Sequence, residues 1–172
     1  TVDVPDAGPL PEEPPLRNPP CSSILVAGIG GTGVVTIGAI IGVAAHLSGK
    51  SCSLLDLTGL SQKNGAVFSH VRVADDDSRI SSARLGVGEA DALIGCDLLV
   101  AASPEAVKTY GPATAVALNT KLVAVAAFQQ DRSLDLGGER ALEIVDAATD
   151  RNSGVRFDAA EDAEKRFGDA PT

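Results

Sequence analysis

The 172-residue sequence has no methionine and no tryptophan, and aromatic residues make up only 3% of it. With no initiator methionine, we expect a piece of a longer chain. Its three cysteines, Cys21, Cys52 and Cys96, form no C-x-x-C pair, which excludes the usual zinc and iron–sulfur ligand patterns. Reduced cysteines are typical of a cytoplasmic protein. No basic, apolar, then small-residue pattern of a signal peptide opens the chain.

Basic residues are also scarce, with 14 Lys and Arg against 23 Asp and Glu and a formal net charge of −9. Such a charge disfavours binding to nucleic-acid phosphates or to an anionic membrane surface. Charge is missing altogether from residues 24–47, a run long enough to span a bilayer. Six glycines interrupt that run, so a buried strand, a glycine turn and a buried helix are the better interpretation.

Proline divides the chain into two parts. Seven of its ten prolines lie within residues 1–20, mixed with acidic residues, a composition that forms neither helix nor sheet. We therefore interpret residues 1–21 as an extended linker. Residues 22–172 form the folded domain, which we expect to be truncated at its C-terminus.

Apolar runs and helix signals predict an α/β, Rossmann-like three-layer domain with a mixed, mainly parallel sheet. The first strand, helix and second strand have the length of one strand–helix–strand unit with parallel pairing. The next connection is too short for a parallel crossover, and an Asp triplet predicts a hairpin between residues 66–74 and 79–85. Predicted strands are the Ile-Leu-Val-Ala run at 24–27, then 51–57, 66–74, 79–85, 97–102, 114–119 and 155–157. Predicted helices are 34–47, 89–95, one opened by Ser103-Pro104-Glu105, 139–148, and one that is capped by Asp158 and ends at Phe167.

A glycine-rich loop follows the first strand. The spacing of Gly28, Gly30 and Gly33 satisfies G-x-G-x-x-G directly between a predicted strand and a predicted helix. In this pattern the first glycine permits a tight turn, the second allows close approach of an anion, and the third allows the helix to pack on the strand. With Gly31 and Thr32, the loop is a candidate phosphate site at a helix N-terminus.

The ligand of this loop stays open on the residues alone. Asp56 ends the second strand where nicotinamide-binding proteins place a ribose-binding acid, which favours NAD or NADP as one alternative. No second domain and no acid–base pair for hydride transfer accompany it. Another anionic ligand, or glycines that serve packing alone in an interaction module, are the other two alternatives.

Three linked motifs carry a more specific signal. They are GIGGTGVVTIGAIIGVAAHLSGKS, LLDLTGLSQKNGAVFSHVRVA and GVGEADALIGCDLLVAAS, in that order along the chain. Together they resemble the gamma domain of the 2-oxoacid:ferredoxin oxidoreductases, and especially the indolepyruvate type. The likeness covers about residues 22–120, and Asn64 stands where the family usually has glycine.

The resemblance implies a non-catalytic domain of an enzyme that oxidatively decarboxylates a 2-oxoacid to an acyl-coenzyme A. Thiamine diphosphate and iron–sulfur clusters would be bound by other domains, with ferredoxin as the electron acceptor, in a homo-oligomer of the parent enzyme. This domain would pack against those domains and help to bind coenzyme A. Ser61, Gln62 and Lys63, in the loop after the second strand, and His70, on the next strand, are the further candidate contacts.

Overall fold

The computed structural model describes residues 19–59, 65–122, 137–150 and 154–167. In this part of the chain, six strands form one sheet in the order β2-β3-β1-β4-β5-β6. The strands are β1 (Cys21–Ile29), β2 (Ser51–Thr58), β3 (Ala66–Ala74), β4 (Ala92–Gly95), β5 (Ala115–Asn119) and β6 (Gly154–Phe157). The helices are α1 (Val34–Leu47), α2 (Leu98–Ala101), α3 (Pro104–Val107), α4 (Gly138–Ala148) and α5 (Ala159–Phe167).

The sheet is mixed and mainly parallel, as predicted. β4 pairs in parallel with β1, β5 with β4, and β6 with β5, whereas β3 is antiparallel to both of its neighbours. β3 lies between β1 and β2, so the predicted direct parallel pairing of the first two strands is wrong. The short connection after β2 forces the chain to return antiparallel, and the returning strand takes the position beside β1.

Alternating side chains of β1 supply the two faces of the sheet with core residues. Val26 packs with Val34 of α1 on one face, whereas Leu25 and Ala27 pack on the other with residues of α2 and α4. Helices therefore cover both faces, which confirms the Rossmann-like three-layer arrangement. The charge-free run of residues 24–47 is divided into β1, the glycine loop and α1, and no helix of the described residues could span a membrane.

Three predicted elements between β3 and α3 are wrong. Residues 79–85 form no strand, because a 3₁₀ turn at Asp77–Arg79 redirects the chain and the Leu85 N–H is bonded to a histidine ring instead of a neighbouring strand. Residues 92–95 are strand β4 rather than part of a helix, since they pair with β1. Residues 98–101 are helix α2 rather than a strand, because the Asp97 carboxylate accepts the Val100 N–H and caps that helix.

The space around two glycines of α1 shows how closely this helix packs on the sheet. A Cβ on Gly38 would lie 2.4 Å from Ser69 Oγ and 3.0 Å from Leu54 Cδ1, whereas one on Gly42 would only touch Cys52 Sγ at 3.7 Å. We expect Gly42→Ala to raise the free energy of unfolding by about 1 kcal/mol through helix propensity. Gly38→Ala should lower it by about 1–3 kcal/mol through overpacking.

Urea unfolding measures both effects, and Ser69→Ala provides the control. Removing Ser69 Oγ from the Gly38→Ala protein should restore part of the lost stability. Equal stabilisation by the two alanines would contradict the close packing of α1 on β3.

Candidate functional site

The loop between β1 and α1 is held in place by its own backbone and by the start of β3. The Gly30 N–H donates to the Gly65 carbonyl at 2.9 Å, just before β3 begins. Thr32 donates twice to the Ile29 carbonyl, from its N–H at 3.1 Å and from Oγ1 at 2.7 Å. These donors are used within the protein, so Thr32 stabilises the turn.

The structural roles of the glycines differ from those that the sequence pattern predicts. Gly31 and Gly33 have φ of +98° and +82°, so they provide the left-handed turn. Gly28 instead provides the close packing: a Cβ there would lie 2.9 Å from Cys96 Cβ and 2.5 Å from Thr32 Oγ1. The prediction assigned the turn to Gly28 and the packing to Gly33, and this assignment is wrong because β1 ends directly against the end of β4.

Unused N–H groups point to the loop as an anion site. Among the described residues, none accepts the N–H of Gly31 or Gly33. The first helical bond runs from Ile37 N–H to the Gly33 carbonyl at 2.9 Å, so the N–H groups of the preceding turn have no partner within the helix. The N-terminus of a 14-residue helix adds its partial positive charge at the same place.

A cleft of about 460 Å³ opens beside these N–H groups. One wall comes from the loop and the first turn of α1, and the other from the end of the β2–β3 pair. The lining residues are Ile29, Gly30, Gly31, Gly33, Val34, Val35, Thr36, Thr58, Gly59 and Val67. The space is of the size that small-molecule sites commonly have.

Three candidate residues, Ser61, Gln62 and Lys63, lie outside the described residues. The chain on either side of them is placed at the cleft: Gly59 lines it, and Gly65 bonds to Gly30 of the loop. Their contact with a ligand therefore stays a prediction.

Asp56 is not brought to the glycine loop. It lies on β2 opposite Ser69, which in turn lies opposite Val26 of β1. Two strand spacings therefore separate Asp56 from β1, about 10 Å, and its level is three residues before the end of β1. A ribose-binding acid ends the strand adjacent to the glycine strand, and that position is taken here by the antiparallel β3.

His70 lies on the sheet face opposite the glycine loop. It shares that face with Arg72, as their alternation predicts, whereas Ser69 faces α1. Arg72 donates to Ser23 Oγ at 3.0 Å and pairs with Glu89. The structure therefore brings Gly28, Gly30, Gly31, Thr32 and Gly33 together and places Asp56 and His70 elsewhere.

Sequence reasoning missed a buried acidic residue at the end of β4, the strand that pairs with β1. Asp97 follows β4 directly after Cys96, whose N–H donates to the Ala27 carbonyl at 2.7 Å. Asp97 is fully buried, and its Oδ2 has no partner among the described residues. Burial raises its pKa. The signal for its position was an aspartate directly before an apolar run, which is a helix N-cap pattern.

Helix α1 is less buried than predicted. Of its 14 residues only Val34, Gly38 and Ala45 are buried. Four large apolar side chains lie exposed along it, at 43%, 62%, 58% and 80% of their full exposure: Val35, Ile40, Val43 and Leu47. Ile40, Val43 and Leu47, spaced by three and four residues, lie along one side of the helix, whereas Val35 is turned by about 140° from Ile40. The helix carries no Asp, Glu, Lys or Arg. Such an apolar surface beside a cleft is typical of a contact with another protein domain.

The fold and the glycine cleft define a Rossmann-like domain with a glycine-rich loop at the carboxyl end of β1. Residues 23–170 match the pyruvate ferredoxin/flavodoxin oxidoreductase family, and the chain belongs to it. The family identified from the three sequence motifs is thereby confirmed.

Curated relatives include indolepyruvate oxidoreductase subunits IorB. The subunit from Pyrococcus horikoshii is 32% identical over 72 residues, which cover 42% of this chain and 34% of that protein. The one from Archaeoglobus fulgidus is 31% identical over 101 residues, covering 59% and 47%. The aligned part of this chain thus spans less than half of each relative.

Solved structures share the fold at low identity. The pyruvate oxidoreductase subunit PORC from Thermotoga maritima has a TM-score of 0.55 and 18% identity, over 86% of this chain and 67% of that one. A 2-oxoglutarate:ferredoxin oxidoreductase from Magnetococcus marinus, solved with 2-oxoglutarate, coenzyme A and succinyl-CoA bound, has a TM-score of 0.53 and 16% identity, over 86% and 22%. At these identities the likeness establishes the fold.

The buried Asp97 predicts a specific pH dependence of stability. Its folded pKa is raised above the unfolded value of about 4, so the folded state binds this proton more tightly. The contribution of Asp97 to the free energy of unfolding must therefore fall as pH rises from about 4 to the folded pKa. Asp97→Asn removes this titration and keeps a good N-cap residue.

We expect the Asn variant to gain stability relative to the wild type across that pH interval and then to stay level. Urea unfolding at a series of pH values measures the difference. A difference that does not change with pH would show that Asp97 titrates alike in the folded and unfolded states.

Proposed function

We propose that this chain is a non-catalytic, gamma-type domain of a multi-domain 2-oxoacid:ferredoxin oxidoreductase of the indolepyruvate type. The parent enzyme would oxidatively decarboxylate a 2-oxoacid to an acyl-coenzyme A in the cytoplasm. Family membership and the similarity to IorB subunits support this proposal. Thiamine diphosphate and iron–sulfur clusters would belong to other domains, and ferredoxin would accept the electrons.

Within that enzyme, we assign the glycine loop to a phosphate of coenzyme A. The observation that carries this assignment is the group of unused N–H donors at Gly31, Gly33 and the first turn of α1, next to the cleft. Gly31 and Gly33 add no side chain at the loop, and nothing lies within 4 Å of the position where either Cβ would be. A phosphate could therefore approach the backbone closely. Coenzyme A, when bound, supplies the thiol that accepts the acyl group.

The exposed side of α1 would be the surface that packs against the cofactor-bearing domains. Val35 lies exposed in the first turn of α1 and also lines the cleft, so the cleft borders the helix that carries the apolar row of Ile40, Val43 and Leu47. A neighbouring domain placed on α1 would then also close the cleft and exclude water from it. This arrangement fits a domain that helps to hold a coenzyme for a reaction catalysed next to it, in a homo-oligomer of the parent.

A nicotinamide dinucleotide is the alternative ligand from another class of enzyme. The position of Asp56, two strands from the glycine loop, counts against it. Titration with NADH separates this alternative from coenzyme A directly.

Calorimetric titration tests the coenzyme A site. We expect the wild-type chain to bind coenzyme A and not NADH, and Gly31→Asp to abolish binding because it places a carboxylate among the phosphate donors. Gly49→Asp is the matched control: Gly49 also has positive φ, +70°, with open space around it, but follows the opposite end of α1. Equal losses in both variants would indicate a folding defect. Binding of NADH, or of neither ligand, would contradict the assignment.

The docking surface makes a separate prediction. Val43→Asp adds a charge at the centre of the exposed row of α1, and we expect it to weaken assembly with the thiamine- and cluster-bearing domains by about tenfold or more. Val87→Asp is the control, since Val87 is 82% exposed in a loop away from α1. Size-exclusion chromatography of the parent enzyme carrying each change measures assembly. Unchanged assembly of the Val43 variant would remove α1 from the interface.

A further inference from the structure

A second candidate site lies on the sheet face opposite α1. A cavity of about 60 Å³ has an apolar floor made by Leu25, Leu57 and Phe68. Its polar lining consists of His70, Arg84, Lys108 and Glu105. The volume suits a group of a few atoms, such as a carboxylate, and it lies outside the glycine cleft already described.

His70 offers this cavity an unused hydrogen-bond donor. The residue is only 4% exposed, and its Nδ1 accepts the Leu85 N–H at 3.1 Å. An accepting Nδ1 places the proton of the neutral ring on Nε2. Among the described residues no acceptor contacts Nε2, so its N–H is available to a group in the cavity that His70 lines. An N–H donor that lines a cavity can bond to an acceptor of a ligand there.

Two cations strengthen the preference for an anion. Arg84 and Lys108 are exposed at the cavity, and neither forms an ion pair with a described carboxylate. Burial lowers the pKa of His70, and the charges of Arg84, Arg72 and Lys108 lower it further. Arg72 is paired with Glu89.

Glu105 is the carboxylate among the lining residues, so two unpaired cations outnumber it. This local excess of positive charge is notable in a chain whose net charge is −9. It favours a singly charged anion over a multiply charged one, because Glu105 repels additional negative charge.

An apolar groove continues from the cavity. The two share Leu57, Phe68 and Glu105, and the groove, of about 320 Å³, extends past Ala66 to Thr58 and Gly59 at the end of β2. Thr58 and Gly59 also border the glycine cleft, so the two spaces lie on opposite sides of this end of the sheet. The groove has room for an aromatic ring or a branched alkyl group.

We propose that the cavity and groove bind a small monocarboxylate that carries an aromatic or branched apolar group. The carboxylate accepts from His70 Nε2 and from the Arg84 and Lys108 side chains, and the apolar group lies on Leu57 and Phe68. This site is additional to the proposed coenzyme A loop and does not depend on it.

Proton NMR of the two histidine rings tests the proposal on the whole 172-residue chain, with phenylacetate as the probe. We expect saturable shifts of the His70 ring signals and none of the His46 signals, since His46 is exposed on α1. The neutral analogue 2-phenylethanol and inorganic phosphate should each bind about tenfold more weakly or less. Equal affinity for 2-phenylethanol would remove the role of the charge, and equal affinity for phosphate would remove that of the apolar group.

Two surface substitutions complete the test without disturbing the buried histidine. The Arg84→Gln and Lys108→Gln double variant should lose about tenfold or more in phenylacetate affinity, the loss expected from a charged hydrogen bond. Lys165→Gln, on exposed α5, is the control for a lower total positive charge. Gly31→Asp should keep phenylacetate binding, which separates this site from the coenzyme A loop. Absence of saturation up to about 10 mM, or undiminished binding by the double variant, overturns the proposal.

Discussion

The short connection between β2 and β3 is the constraint on which the rest of the site depends. A parallel crossover needs about a dozen residues or more, so the chain returns antiparallel after β2. β3 then pairs with β1 along nine residues, from Cys21 opposite Ala74 to Ile29 opposite Ala66. Its start provides the Gly65 carbonyl that holds Gly30, and the end of the β2–β3 pair becomes one wall of the cleft.

Strand β3 also places different side chains on the two faces of the sheet. Ser69 faces α1, which has no charged side chain and whose polar groups at the loop are backbone N–H groups. On the other face, His70 and Arg72 lie among charged side chains near Leu85 and Glu89. Because side chains alternate along a strand, the antiparallel insertion of β3 places Ser69 on the α1 side of the sheet and His70 and Arg72 on the other, beside the two sites proposed above.

Much of the fold follows from local patterns. The bounds of α1 and β3 agree with those predicted, because Gly33 and Gly49 bracket the helix with left-handed turns and residues 66–74 are a long extended run. The Ser103–Pro104 helix start is confirmed as well. The four-residue elements β4 and α2 were assigned incorrectly, because such short apolar runs do not distinguish a period of two from one of 3.6. Pairing with β1 makes residues 92–95 a strand, and capping by Asp97 makes residues 98–101 a helix.

The sequence by itself determined the family, the glycine loop and the α/β class, since these depend on spacings within short stretches of chain. Only the tertiary structure decided which candidate site residues lie close together. Asp56 has the expected sequence separation from Gly33, yet β3 lies between their strands. Asp97 lies outside the glycine motif, yet it is fully buried, and its neighbour Cys96 packs against Gly28. Strand order and burial depend on contacts between distant residues, and a local pattern contains no information about which strand is inserted between two others.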